Sequence, residues 1–346
     1  MLSKEESKRY SRQIILSDIG LEGQQKLKAA KVLVVGAGGL GCPVLQYLTA
    51  AGVGTIGIID HDVVDETNLH RQILYSVADV GKSKAETAAT KLLALNPYVA
   101  VRPFAVRLTS ENATVIFEAF DLIVDGSDNF ETRYLVNDAC VQLDKPLVFG
   151  SIFGFEGQVS VFNYRGGPTY RCVFPEAGEA PNCAVNGVLG VLPGIVGTYM
   201  ANEALKVILE IGEPLSGKLM VLNVLDNAIN FFKVKRVLEV QRTPSAATRP
   251  AAQADEGLSY SAIERMLAEK PEEIFLVDVR EPLEAEADPV GDVNIPLSEI
   301  ADSVHEFPPD KTLIFYCNSG RRSKAAMDLA KAAGVVTPMY WGKGEE

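Results

Sequence analysis

One stretch, KVLVVGAGGLG at 31–41, limits the possible folds of this chain more than any other. An apolar run enters a glycine cluster and leaves it as a helix-forming sequence, which reads as buried strand, tight turn and helix start. Gly36, Gly38 and Gly41 carry the GxGxxG spacing, with Gly39 between them. In such a loop Gly36 permits the turn, Gly38 lets backbone approach a phosphate, and Gly41 allows the helix to pack close to the strand. The helix amino end adds partial positive charge where an anion would lie. No Gly-Lys-Ser/Thr follows, which excludes a Walker-type loop. Asp60 ends the next strand pattern, TIGIID, where a carboxylate can accept from ribose hydroxyls. On these residues alone, a dinucleotide-binding domain for hydride transfer and a nucleotidyl-transfer site both stand.

The rest of the chain repeats the strand–helix alternation. Ser3 and Glu6 form a capping box for a first helix running toward Ile15. A helix is expected over 82–95, strands over 100–106 or part of it, 121–127, 146–152 and 157–164, and helices from Asn129 to Leu143 and up to Ile211. KLMVLNVL and AINFFKVKR alternate as a hairpin closing the sheet. The expectation is a Rossmann-like, mainly parallel sheet with helices on both faces, over residues 1–240. Residues 241–257, QRTPSAATRPAAQADEG, are alanine-rich with two prolines and no large apolar side chain, as in a flexible linker. A second, small α/β domain is expected over 258–346, with a helix at 259–269, strands at 274–279 and 312–317, a helix at 321–333 and a strand near 337–341.

Charge narrows the partners. With 33 Lys and Arg against 45 Asp and Glu, the net charge is −12 and no basic patch stands out, which argues against nucleic acid. The longest apolar run, Gly187–Ile211, is broken by Pro193 and carries Asn202, Glu203 and Lys206, so a buried helix is expected rather than a membrane span. The charged start, MLSKEESKRYSRQ, lacks the apolar core of a secretory signal. Five scattered cysteines suit free thiols in a reducing cytoplasm.

The neighbours of the glycine loop tip the chemistry. TNLHRQ places Asn68, Arg71 and Gln72 after the second strand, and Lys84 opens the next helix. DGSDNF sets Asp128 and Asn129 at the carboxyl end of a later strand, where open α/β sheets bind ligands. Arg12 is a further cation near the amino terminus. Each alone reads as a surface salt-bridge residue. Several cations plus an acid are what nucleotidyl transfer needs: they offset repulsion between an attacking carboxylate and the α-phosphate, and the acid can hold Mg²⁺.

RYSRQIIL, VVGAGGLGCPVLQYLTAAGVG, IDHDVVDETNLHRQ, GKSKAE and DGSDNFETRYLVND resemble the MoeB/ThiF family of ubiquitin-activating-enzyme-like adenylyltransferases over about residues 5–237. The resemblance implies Mg·ATP-dependent adenylylation of the C-terminal glycine of a ubiquitin-like sulfur carrier ending in Gly-Gly, of the kind serving molybdenum cofactor biosynthesis. It implies nucleotide contacts at Gly39, Asp60, Asn68, Arg71, Lys84, Asp128 and Asn129, and a homodimer in which Arg12 reaches the partner subunit's ATP. The family's structural zinc takes two CxxC pairs. Here Thr169 stands where the first cysteine is expected, Cys172 remains, and the second pair is missing from VLEVQRTPSAA, so no zinc is expected. Cys183, in EAPNCAVNGVLG, is open to two readings: a small buried thiol, or a nucleophile that the carrier acylates.

Near the carboxyl end, FYCNSGRRSKAA carries a second anion cradle. Cys317 follows a strand, and Gly320, Arg321, Arg322 and Ser323 lead into a helix. Backbone N–H groups curled around the sulfur, the helix dipole and Arg321 or Arg322 would stabilise an anionic sulfur or persulfide. With LVDVREPLEAE and VNIPLSEI, in which Asp278 and Arg280 read as structural, this resembles the rhodanese sulfurtransferases over about 258–341. The segment between Glu286 and Val293 is short and lacks that family's HIPGA wording, and the domain is expected to be trimmed at the MYWGKGEE edge. The two resemblances together imply adenylylation followed by sulfur delivery from a Cys317 persulfide, charged by a donor such as a cysteine desulfurase. Two alternatives are an NAD-dependent oxidoreductase and a non-catalytic scaffold that binds the carrier.

Overall fold

The structure, a computed structural model, describes residues 1–175, 187–237, 257–280, 282–287, 289–300, 303–318 and 320–343. It divides into two compact units, Met1–Pro244 and Ser245–Glu346. The expected linker, 241–257, lies outside the described residues apart from Gly257. Among the described residues no helix is long and apolar enough to cross a membrane.

The first unit is built on an eight-stranded sheet in the order β3-β2-β1-β4-β5-β6-β7-β8. β1 (Lys31–Val35), β2 (Thr55–Ile59), β3 (Ala100–Phe104), β4 (Leu122–Asp125) and β5 (Leu147–Phe153) run parallel. β6 (Glu156–Phe162), β7 (Lys218–Asn223) and β8 (Ala228–Lys233) extend it antiparallel, the last two as the expected hairpin. Strand order reverses between β1 and β4, and loops leaving neighbouring strands in opposite directions open a crevice there.

Both faces are covered, as the near-continuous apolar strands require. One core joins β1 and β2 to the helices α4 (Gly41–Ala51), α5 (Lys84–Leu95) and α8 (Leu192–Leu209). The other packs α6 (Ala113–Glu118) and α7 (Phe130–Gln142) on the opposite face, around Phe117, Phe120, Phe149 and Tyr170. α3 (Gly20–Ala29) lies beside α8. The capping box of Ser3 and Glu6 forms, but the first helix does not continue to Ile15. It ends at Arg9, and a separate turn, α2 (Ser11–Ile14), follows Tyr10. The break has a cause: Tyr10 is buried, its ring fills the space at Gly52, and its hydroxyl accepts from Asn96 Nδ2 at 2.8 Å.

The second unit has a five-stranded parallel sheet, order β11-β10-β12-β13-β9. β10 (Ile274–Asp278), β12 (Thr312–Cys317) and β13 (Met339–Lys343) form its centre, and the short β9 (Leu258–Ser259) and β11 (Val293–Asn294) its edges. α9 (Tyr260–Glu269) packs with Leu276 and Ile314 on one side, and α11 (Arg321–Ala332) with Phe315 on the other. α10 (Pro282–Ala287) joins β10 to β11. At its centre the Arg280 guanidinium donates to both oxygens of the fully buried Asp278, at 2.8–3.1 Å, the structural role expected of the pair.

Candidate functional site

The glycine loop sits at the carboxyl end of β1, against the loop leaving β4. Gly36 has φ +87, and a side chain there would lie 3.0 Å from the Gly126 carbonyl. A side chain on Gly41 would overlap the Gly36 carbonyl oxygen, so α4 can start this close to β1 only with glycine. Asp60 faces the loop: its Oδ2 accepts from Ala37 N at 2.7 Å and its Oδ1 from Asp62 N at 2.9 Å. Burial raises the Asp60 pKa above the usual carboxylate range despite these bonds. Cys42, under the loop, is pushed up to about 12 by burial and reads as an inert core thiol.

The loop after β2 brings the predicted polar residues to the same place. The Arg71 side-chain stem lies 3.6 Å from where a Gly39 side chain would begin, and Gln72 Nε2 lies 3.5 Å from the same point at Gly38. Gln72 Nε2 donates to Asn68 Oδ1 at 2.9 Å, and its buried Oε1 has no protein partner. Lys84, at the start of α5, is buried, and its Nζ donates to Asp62 Oδ2 at 3.0 Å. Tyr75 ties the two loops together by donating to the carbonyls of Ala37 and Lys84, at 2.9 and 3.2 Å.

The β4 loop supplies the acid. β1 and β4 are in register with Val35 opposite Asp125, so residues 126–129 emerge beside residues 36–41. Gly126 N donates to Val35 O at 2.8 Å. Asn129 caps α7, its Oδ1 accepting from Thr132 N at 2.9 Å. Asp128, between them, is exposed, with Asn129 Nδ2 at 3.4 Å from its Oδ1. An accessible carboxylate beside a phosphate-sized glycine loop, with the buried Ser127 hydroxyl unpartnered behind it, fits Mg²⁺, a hard cation that keeps its waters.

Arg12 is exposed on α2 and lies on a fixed turn. Its neighbour Tyr10 is buried, and Gln13 Nε2 donates to Gln24 Oε1 and Ala51 O at 2.9 and 3.0 Å. Cys183 lies outside the described residues. Sequence reasoning missed Asp62, the partner of Lys84, and Pro193, which opens α8 against Gly39 with its Cβ 3.0 Å from where a side chain there would begin. A proline at a helix start was a usable signal for α8; its contact across the sheet was not.

At the position of the family's zinc, residues 169–172 and 237 do meet. Cys172 Sγ accepts from Thr169 N at 3.4 Å and from Val237 N at 3.3 Å, with Thr169 Oγ1 at 3.4 Å. Burial raises this thiol, but those bonds and the charge of Arg236 outweigh it and leave the pKa below the ordinary value. One sulfur and a threonine hydroxyl do not make the four-ligand set a structural zinc needs.

In the second unit Cys317 ends β12 and is fully buried. Its sulfur accepts from Ser323 N at 3.3 Å, with Ser323 Oγ at 3.5 Å. Ser323 Oγ also bonds the carbonyls of Gly320 and Gly342, at 2.9 and 2.6 Å. Gly320 has φ +78 and abuts the Trp341 ring, so β13 backs the loop. The Arg322 guanidinium grips both oxygens of Glu284, at 2.5 and 2.8 Å. A bidentate carboxylate suits that planar fork. The cradle around the sulfur includes the Ser323 N–H and the amino end of α11. Asn318 Oδ1 accepts from Arg280 Nη1 at 3.3 Å, coupling the loop to the buried ion pair below it.

Comparison with known proteins agrees with this division. The ThiF family model matches residues 10–241, and the Rhodanese-like domain model matches residues 259–344. A probable adenylyltransferase/sulfurtransferase MoeZ from Mycobacterium tuberculosis is 44% identical, over 98% of this chain and 92% of its own length. A sulfur carrier protein adenylyltransferase from Thermus thermophilus is 56% identical, over 68% of this chain and 89% of its own. The crystal structure of E. coli MccB with ATP superposes with a TM-score of 0.59 at 26% identity, covering 66% of this chain and 72% of that one.

Proposed function

From a chain that belongs to the ThiF family over two thirds of its length and carries a rhodanese-like domain after it, we propose a two-step enzyme: an adenylyltransferase that activates a ubiquitin-like sulfur carrier, and a sulfurtransferase that then sulfurates it. What supports the first step is the Arg71 stem 3.6 Å from where a Gly39 side chain would begin, Lys84 bonded to Asp62, whose backbone N–H binds Asp60, and a strand register that brings the Asp128 loop out beside the Gly36–Gly41 turn. The relatives are named as adenylyltransferases, one of them of a sulfur carrier protein, which favours this reading over hydride transfer and over a scaffold without turnover.

In the first step a carboxylate oxygen of the carrier's C-terminal glycine attacks the α-phosphorus of ATP, and pyrophosphate leaves. The glycine loop receives the phosphates through backbone N–H groups. Asp60 accepts from the ribose. Arg71 and Lys84 offset charge that builds on the phosphate oxygens, and Arg12 does so from the partner subunit of a homodimer. Asp128 would hold Mg²⁺, which supplies charge neutralisation on the phosphates when bound. In the second step the outer sulfur of a Cys317 persulfide attacks the acyl-adenylate carbonyl and AMP leaves. A second thiol then cleaves the acyl disulfide and releases the thiocarboxylate. The persulfide itself comes from a separate donor, a cysteine desulfurase by its chemistry. No zinc enters either step.

The test is ATP–pyrophosphate exchange with and without a carrier ending in Gly-Gly. Exchange that depends on the carrier supports the proposal. Exchange that ignores every such carrier, or thermal stabilisation by NAD and not by ATP, defeats it.

A further inference from the structure

A buried polar group beneath the β4 loop has no part in the steps above. Asp125, the last residue of β4, is 1% exposed. Its Oδ1 accepts from Ser127 N at 2.9 Å, and its Oδ2 has no hydrogen-bond partner among the described residues. Arg133, on the second turn of α7, is 7% exposed and lies on the same side. Its Nη2 donates to the Ser127 carbonyl at 3.1 Å, and its Nε has no hydrogen-bond partner among the described residues. The guanidinium is held between rings, with its carbon 5.4 Å from the Phe130 centroid and 5.7 Å from that of Phe149. A buried cation is costly unless its neighbourhood uses the charge. Here the charge faces the Asp125 carboxylate and the Tyr170 hydroxyl, and it also holds the carbonyl of the residue immediately before Asp128.

We propose that Arg133 is a positioning residue for Asp128. Residues 126–129 are pinned from four sides: Gly126 N to Val35 O, Ser127 N to Asp125, Ser127 O to Arg133, and Asn129 Oδ1 to Thr132 N. Two of these tie the loop to its own strand or helix edge, and one ties it to the neighbouring strand β1. The Arg133 bond alone fixes the carbonyl of the peptide plane that joins Ser127 to Asp128, so it sets the direction in which the Asp128 side chain leaves the loop. Arg133 touches neither substrate nor metal and acts through that plane. Such supporting bonds behind a metal-holding carboxylate govern how well it binds. The inference rests on the reading of Asp128 as the metal-holding acid.

The experiment uses the full chain with a non-hydrolysable ATP analogue and Mn²⁺ as a paramagnetic probe, titrated by electron paramagnetic resonance. Arg133→Lys keeps the charge but cannot repeat the planar fork. We expect its metal affinity to fall by roughly 10- to 100-fold, while affinity for the analogue without metal and the unfolding midpoint stay near the parent's. A lower midpoint with unchanged metal affinity would show Arg133 to be merely structural and overturn the proposal. Phe130→Leu, which loosens the ring under the guanidinium, provides the same readout with a smaller expected loss should Arg133→Lys not fold. Asp128→Asn separates the two ideas. Undiminished metal affinity in that variant removes the reading of Asp128 and the proposal with it. Loss in Asp128→Asn with none in Arg133→Lys removes the proposal alone.

Discussion

Lys84 Nζ lies 3.0 Å from Asp62 Oδ2, yet the two side chains differ sharply in exposure, 7% against 55%. The cation is held inside the crevice by a carboxylate standing at its mouth. An incoming triphosphate would compete with that carboxylate for the ammonium, so the pair reads as a gatepost rather than as a stabilising bridge. Lys84→Ala should lower carrier-dependent pyrophosphate exchange about 10²- to 10³-fold, the scale of losing one preorganised donor. Asp62→Asn should cost about tenfold or less. Normal exchange in Lys84→Ala would remove the lysine from the site.

Gly41→Ala tests the packing of α4 on β1. The added methyl would overlap the Gly36 carbonyl, and relief requires moving the glycine loop. The expected outcome is loss of the upward shift in unfolding midpoint that ATP gives the parent, measured with saturating nucleotide. A full shift in the variant would mean the loop does not carry the phosphates.

Asp79 sets an acid dependence. Lys91, then the Ser76 hydroxyl, hold its carboxylate far below the usual range. A depressed native pKa stabilises the fold wherever the unfolded carboxylate is ionised, above about pH 4, and that stabilisation disappears as pH drops through the native value. Asp79→Asn should therefore melt about 2–4 °C lower than the parent near neutrality. The gap should close under strong acid. A gap independent of pH would point to packing instead of charge.

For the sulfur step, Cys317→Ser should abolish thiocarboxylate formation, followed by mass spectrometry of the carrier, and leave pyrophosphate exchange intact. Equal loss of both activities would move Cys317 out of the role assigned to it.

Glu284→Gln addresses the ion pair of Arg322. Replacing the carboxylate should destabilise the second unit by about 1 kcal/mol, the low end for a charged hydrogen-bonded pair because both partners reach solvent. Urea unfolding of the full chain, read at Trp341, measures it. No change would mean that water replaces Glu284 at no cost.

Local patterns fixed most of the elements. The glycine turn, the hairpin of β7 and β8, and the cysteine loop each depend on residues within a short window, so period and spacing revealed them. What escaped was contact across the sheet. Tyr10 ends the first helix because Gly52 and Asn96, forty and more residues on, leave a slot for its ring. The pairing of Arg322 with Glu284, 38 residues back, left no sign in the sequence. Asp125, Ser127 and Arg133 were visible only as letters in DGSDNFETR, and their mutual burial follows from α7 folding back on β4. Long-range pairing of charged side chains leaves no periodic trace.

In the second unit, β13 lies between β12 and β9, pairing Gly342 with Leu258 and Lys343 with Ser259. The entering strand and the last described strand are thus next-door neighbours. A domain closed in this way can be spliced into a host, or have its ends joined and be cut open elsewhere, without disturbing its sheet. A sulfurtransferase domain closed in this way is a unit that can be moved whole from one protein to another.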